Sequence, residues 1–263
     1  MIIEAIGYLL AGSFAGILAG TFGVGGGIII VPVLVLIFGL IGFDSHYIVH
    51  LAIGTSLASI FFTGISSTRS HFLKGGINFQ AFYPVAFGIS IGSIVGVLIA
   101  NNLSADVLKY IIGIFALFIA AQMHLVKEND KTFRPSKGLS FAVGSGVGSI
   151  STILGIGGGS FTVPFFRYSG LDMKTCVGTG AACGIPIALF GSLTFAILGL
   201  ENSDLPNYSI GYIYLPALIG ISASSIFTAS IGATIAHSIS DKMLSMLFSL
   251  MMITISMYML FTS

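Results

Sequence analysis

Charge is scarce in this chain: ten Lys and Arg and nine Asp and Glu in 263 residues, 7% of the whole. A soluble fold of that length would leave large apolar patches bare with so few ionised side chains, so a soluble globular protein is excluded. The net charge of +1 offers no electrostatic footprint for a nucleic-acid partner. Cysteine is nearly absent too. Cys176 and Cys183 stand seven apart, about 10 Å along a helix, too far for a bridge between them. They read as small apolar packing residues. No Cys-x-x-Cys occurs, and the histidines at 46, 50, 71, 124 and 237 read as dispersed, so no metal, no cofactor and no membrane-enzyme cluster is expected. The residue-by-residue alternation of a transmembrane β-barrel is missing as well.

What the chain has is apolar length. Hydrophobic residues make up 55% of it and the mean hydropathy is +1.04. Runs long enough to cross about 30 Å of hydrocarbon, each needing roughly 20 residues, fill almost all of it. The expected fold class is an all-α polytopic membrane protein. Apolar stretches are read at 4–22, 28–42, 48–68, 78–101 and 104–126, then at 139–154, 160–170, 174–200, 210–237 and 241–261. The polar stretch 127–138 divides an N-terminal transmembrane repeat, 1–126, from a C-terminal one, 139–263. The start, Met-Ile-Ile-Glu, lacks the basic region of a cleavable signal peptide, so the first stretch is expected to be retained.

The two halves share landmarks in the same order. Gly23-Val24-Gly25-Gly26-Gly27…Val31-Pro32 returns 132 residues later as Gly155-Ile156-Gly157-Gly158-Gly159…Val163-Pro164. Gly54-Thr55 answers Gly178-Thr179 at an offset of 124, and Pro84…Gly88…Ser90 answers Pro216…Gly220…Ser222 at 132. Leu103-Ser104 answers Ile239-Ser240 at 136. The basic residues suggest how the halves lie. With the N-terminus outside and each glycine-broken pair returning to the side it left, nine of the ten Lys and Arg fall inside and only Lys109 outside. Each half is then a glycine-broken helical hairpin plus three transmembrane helices, and the halves form two inverted-topology repeats. The glycine pair can alternatively be two short full spans.

A glycine cluster interrupting an apolar helix once in each half points to a transporter's binding site. Backbone polar groups cannot be left bare in lipid, so such a break must face protein or a water-filled cavity. Glycine lets successive N–H groups converge on an anion, and the helix starting after each break adds its positive end. Thr55, Ser56 and Thr179, at matching places on the following helix, can add hydroxyl donors. The rows Gly12, Gly16, Gly20 and Gly88, Gly92, Gly96 read instead as helix packing. All nine carboxylates fall in loops or at span ends, so the usual mid-span proton- or sodium-coupling residue is missing. His50 and His124 read as interfacial or packing residues. Arg69 and Arg167 read as positive-inside anchors, with attraction of an anion as the alternative.

The paired Gly-Val-Gly-Gly-Gly…Val-Pro and Gly-Ile-Gly-Gly-Gly…Val-Pro breaks, each followed by Gly-Thr, resemble the sulfite exporter TauE/SafE family of membrane permeases over about residues 8 to 261. The resemblance implies a multi-pass protein of the cytoplasmic membrane that carries a small anion, sulfite or an organosulfur or sulfonate anion. It places the substrate site at Gly25, Gly26 and Gly27 with Thr55, and at Gly157, Gly158 and Gly159 with Thr179. The expected partners are that anion and the lipid bilayer. An anion channel, or a carrier of a non-sulfur organic acid, is the competing expectation.

Overall fold

The computed structural model describes residues 2–22, 26–125, 135–235, 250, 253–254 and 256–260. Nine helices run through the described residues: α1 Ile2–Phe22, α2 Gly27–Ile41, α3 Ile48–Leu73, α4 Phe79–Asn101, α5 Ala105–Leu125, α6 Lys137–Leu154, α7 Gly159–Tyr168, α8 Met173–Gly199 and α9 Leu215–Ile235. A two-residue hairpin, β1 Ser209–Ile210 and β2 Ile213–Tyr214, pairs antiparallel ahead of α9. Residues 256–260 are helical and fall within the last expected stretch, 241–261, most of which lies outside the described residues, as does most of the 127–138 connection. The nine earlier expected stretches each coincide with one helix. The exception in detail is 210–237, whose first residues form the hairpin.

Local chemistry sets the boundaries. Asn78, Ser136 and Asp172 cap α4, α6 and α8, their side-chain oxygens accepting from the N–H groups of Ala81, Leu139 and Thr175 at 3.0, 3.2 and 3.1 Å. Gly42 and Gly155 close α2 and α6 in the left-handed region, where a glycine C-cap satisfies the last carbonyls. Helices α3, α4 and α8 (from Lys174) have the length and composition to cross a membrane. With ten residues and about 15 Å of rise, α7 cannot cross about 30 Å of hydrocarbon alone. The chain is a helical, multi-pass membrane protein.

Three close helix pairs organise the interior: α1 on α9, α4 on α6, and α3 on α8. The first two seams are made by glycine. Gly12 and Gly16 lie on the backbone of Ile221 and Ser225 in α9, while Gly88, Gly92 and Gly96 lie on Phe141, Ser145 and Ser149 in α6. A methyl group at Gly92 would overlap the Ser145 carbonyl. Both rows are the packing stripes their four-residue spacing suggests; the surroundings of Gly20 lie outside the description. Helix α3 is central, every residue from Ile48 to Ile60 being buried.

Candidate functional site

The two glycine breaks meet. Gly26 and Gly158, each with φ of 71°, hold the N-cap positions of α2 and α7 in the left-handed region, and among the described residues no side chain caps either helix. Gly27, first residue of α2, lies directly on the backbone of Gly155 and Ile156, so a side chain there would collide with the second break. Gly26, Gly27, Gly157, Gly158 and Gly159 are all buried, whereas Gly25 lies outside the described residues. The α2 start therefore lies against the second break at its α6 end, and the N–H groups in the first turns of α2 and α7 lack the side-chain acceptor that usually satisfies them.

The structure gives the neighbouring hydroxyls specific partners. Ser56 Oγ donates to the Gly155 carbonyl at 2.9 Å, tying α3 to the second break. Thr55 Oγ1 accepts from the Tyr214 N–H at 2.9 Å, and Thr179 Oγ1 accepts from the Asn78 N–H at 3.0 Å. The preceding glycines complete the grip: a Cβ on Gly54 would meet the Tyr212 carbonyl, and one on Gly178 would meet that of Gly76. Each Gly-Thr element thus holds the segment leading into a helix of the other half of the chain, 212–214 ahead of α9 and 76–78 ahead of α4. Thr55, Ser56 and Thr179 are fully buried or nearly so, and their bonds in this conformation are to backbone.

A small cavity of about 20 Å³, room for one water, lies beside the second break. Among the described residues, Gly157 is the one expected site residue that lines it. The rest of its wall comes from Thr63, Gly64 and Ser67 of α3, Ala181 and Gly184 of α8, and Ala19 of α1 among others. No ionisable side chain lines it among the described residues. Beyond Thr55 and Ser56, the α3 wall residues carry a sequence signal of their own. Thr55, Ser59, Thr63 and Ser67 recur every fourth residue and so share one helix face. Ser59 and Thr63 donate to the carbonyls four residues back at 2.9 and 3.0 Å, and Thr63 also bonds Ser225 of α9, with 2.8 Å between oxygens. Helix α8 has no equivalent row: Thr179 is followed at the same spacing by Cys183, Ile187 and Gly191.

The remaining candidates are placed as follows. Arg69 and Arg167 are exposed near the ends of α3 and α7, and neither is among the described residues that line the small cavity. Described carboxylates occupy first turns, caps and loops, and none is mid-helix; Glu128, Asp130 and Asp241 lie outside the described residues. His46 and His50 do stand four apart, a spacing that the reading of dispersed histidines overlooked. They are not a ligand pair: His50 Nε2 lies 3.1 Å from the Ala100 carbonyl and its ring lies against Tyr212, and no group of three metal-ligating side chains occurs among the described residues. The side chain of His124 is outside the description. Cys176 and Cys183 are free and buried, as packing residues would be.

Comparison with known proteins adds an independent line. The family model described as "Sulfite exporter TauE/SafE" matches residues 8–259. A Haemophilus influenzae protein named "Probable membrane transporter protein" is 36% identical over 253 residues, covering 95% of this chain and 96% of its own. A Methanocaldococcus jannaschii protein of similar name is 29% identical over 257 residues, 96% and 94% of the two chains. The Bacillus subtilis protein YunE, also named as a probable membrane transporter, is 26% identical with 94% of each chain covered. No solved structure matches.

Proposed function

The chain belongs to the sulfite exporter TauE/SafE family, and from that membership we propose that it is a secondary carrier of a small oxyanion, sulfite or an organosulfur anion, across the cytoplasmic membrane. It is a membrane transporter and not an enzyme. The carrying observation is the contact of the uncapped α2 start with the second glycine break, at Gly155 and Ile156, which leads in turn into the uncapped start of α7. Converging N–H groups and two positive helix ends would hold an anion without a buried cation, and so without the cost of keeping a charged side chain in hydrocarbon.

In this reading the substrate lies between the glycine segments 25–27 and 157–159, with the Thr63 and Ser67 hydroxyls on its α3 side. Thr55, Ser56 and Thr179 act on the site by fixing its walls. A cavity with room for one water is too small for sulfite, so this conformation corresponds to a closed state, and transport requires the breaks to part. The halves 1–126 and 139–263 act as inverted repeats whose helices rearrange to expose the site to each side in turn. The reciprocal seams support this arrangement: α1 on α9 and α4 on α6 exchange the same positions between halves, as do the two Gly-Thr grips. The shortness of α7 supports a returning hairpin.

Proteoliposomes preloaded with unlabelled sulfite test the proposal. Labelled sulfite outside should enter by saturable counterflow that unlabelled sulfite competes away, with sulfate and acetate ranking the selectivity. Non-saturating flux would indicate a channel. Absence of sulfite counterflow with folded protein would remove sulfite and turn the search to sulfonates and other organic acids.

A further inference from the structure

A second cavity, of about 450 Å³, opens between α4, α6 and α7. It shares no residue with the small cavity at the glycine breaks. Its polar wall includes Gln80 and Lys137 together with the buried Ser140, and its apolar wall includes Phe165, Phe166 and Leu171. Among the described residues no carboxylate lines it, and the one charge on its rim is the Lys137 ammonium, for which no ion pair occurs among those residues. That combination is selective by elementary chemistry. One cation asks for one negative charge, an amide and a hydroxyl orient it, and the phenyl wall takes an apolar body.

The two ends of the molecule differ here. Ser140 follows Tyr8 by 132 positions, the spacing of the two glycine clusters. At the Tyr8 end the corresponding volume is filled. Tyr8 and Phe38 are fully buried or nearly so, and both pack on Tyr214, with ring centroids 6.4 and 5.6 Å apart. Helix α2 reaches Phe38 because it has fifteen residues where α7 has ten. The comparison of ends rests on the repeat reading proposed above; the cavity and its lining do not. The α4–α6–α7 end is open where the other is plugged with aromatics, and its apolar wall gives an occupant surface to bury.

We propose that the α4–α6–α7 cavity is a separate binding site for a small organic acid, a monoanionic carboxylate or sulfonate with an apolar body. An acidic lipid reaching in from the bilayer carries the same chemistry, and the test separates the two sources. The full-length protein is placed in nanodiscs of phosphatidylcholine and titrated with 4-fluorobenzenesulfonate, with binding read from the 19F signal. Saturable binding is expected. Lys137→Gln, at an exposed position, should weaken it about tenfold, the loss of one charge-assisted contact. Ser140→Tyr, which restores the bulk found at the opposite end, should abolish it. Thr63→Val, at the central cavity, should leave it unchanged. No saturable binding, equal binding by wild type and Lys137→Gln, or loss of binding in Thr63→Val would each overturn the proposal, the last by placing the probe at the glycine breaks. With the site established, competition by added phosphatidylglycerol assigns it to a lipid headgroup, and indifference assigns it to a water-borne acid.

Discussion

At the scale of single residues, the glycines of the breaks differ in what they tolerate. Gly27 touches backbone of the second break, which cannot move aside, whereas the nearest neighbour of a Cβ on Gly158 is the flexible end of Ile187. Gly27→Ala is expected to destabilise the protein by about 1–3 kcal/mol through overpacking. Gly158→Ala carries mainly the left-handed backbone cost, about 1–2 kcal/mol. Thermal unfolding in detergent should rank them in that order, and equal stability would remove the contact between the breaks. Asp172 is a separate case, at a helix end outside the spans. The hydrogen bond with Thr175 at the α8 start holds its carboxyl below the ordinary carboxylate value. A depressed pKa stabilises the fold above the ordinary value, and that contribution is lost as pH falls through the folded one. Asp172→Ala should therefore lower the melting temperature at neutral pH and converge with wild type in acid. A constant difference at every pH would show that the cap acts without its charge. The hydroxyl row on α3 gives a third expectation. Thr63→Val keeps shape and removes the bond to Ser225, so counterflow should fall about tenfold with insertion intact, the worth of one or two hydrogen bonds. Unchanged flux would take Thr63 out of the substrate path.

At the scale of elements, much was legible because the membrane simplifies the code. Hydrocarbon demands continuous helices of set length, so apolar runs mark spans directly. Four-residue glycine spacing marks seams, and the structure places Gly88, Gly92 and Gly96 on α6 accordingly. What the sequence concealed is which helix each stripe meets, because partner choice between equally apolar surfaces is decided in three dimensions. The Gly-Thr elements were legible as important, though not the grip they exert on the opposite half. In this conformation Thr55 and Thr179 accept backbone N–H groups from that half, and each hydroxyl keeps its own proton to donate. The α3 hydroxyl row is inconspicuous, since four Ser and Thr spread over 13 residues look like background unless read at helical period. A contrast between two glycines tests the seam. Gly92 abuts the Ser145 carbonyl, while a Cβ on Gly146 would meet nothing within 4 Å. Gly92→Ala should lower thermal stability by several degrees or prevent insertion, and Gly146→Ala should be silent. A silent Gly92→Ala would mean that α4 and α6 are not in backbone contact.

At the scale of the whole molecule, the seams and grips suggest which parts travel together. Glycine contact makes α1 with α9, and α4 with α6, into tight pairs, each drawing one helix from either half. Motion that opens the site must then pass elsewhere, through the less intimate contacts around α3. There the Thr63 to Ser225 hydrogen bond joins α3 to α9 beside the small cavity, and both side chains are buried. With 2.8 Å between the two oxygens, a pair of cysteines at these positions lies within reach of a disulfide. The native thiols do not interfere once Cys176 and Cys183 are replaced. In that background, oxidation of Thr63→Cys/Ser225→Cys should stop counterflow by holding the breaks closed, and reductant should restore it, while either single variant remains insensitive to oxidant. A cross-linked protein that still carries sulfite at the full rate would show that α3 and α9 stay together through the cycle, and would move the working interface to α3 against α8.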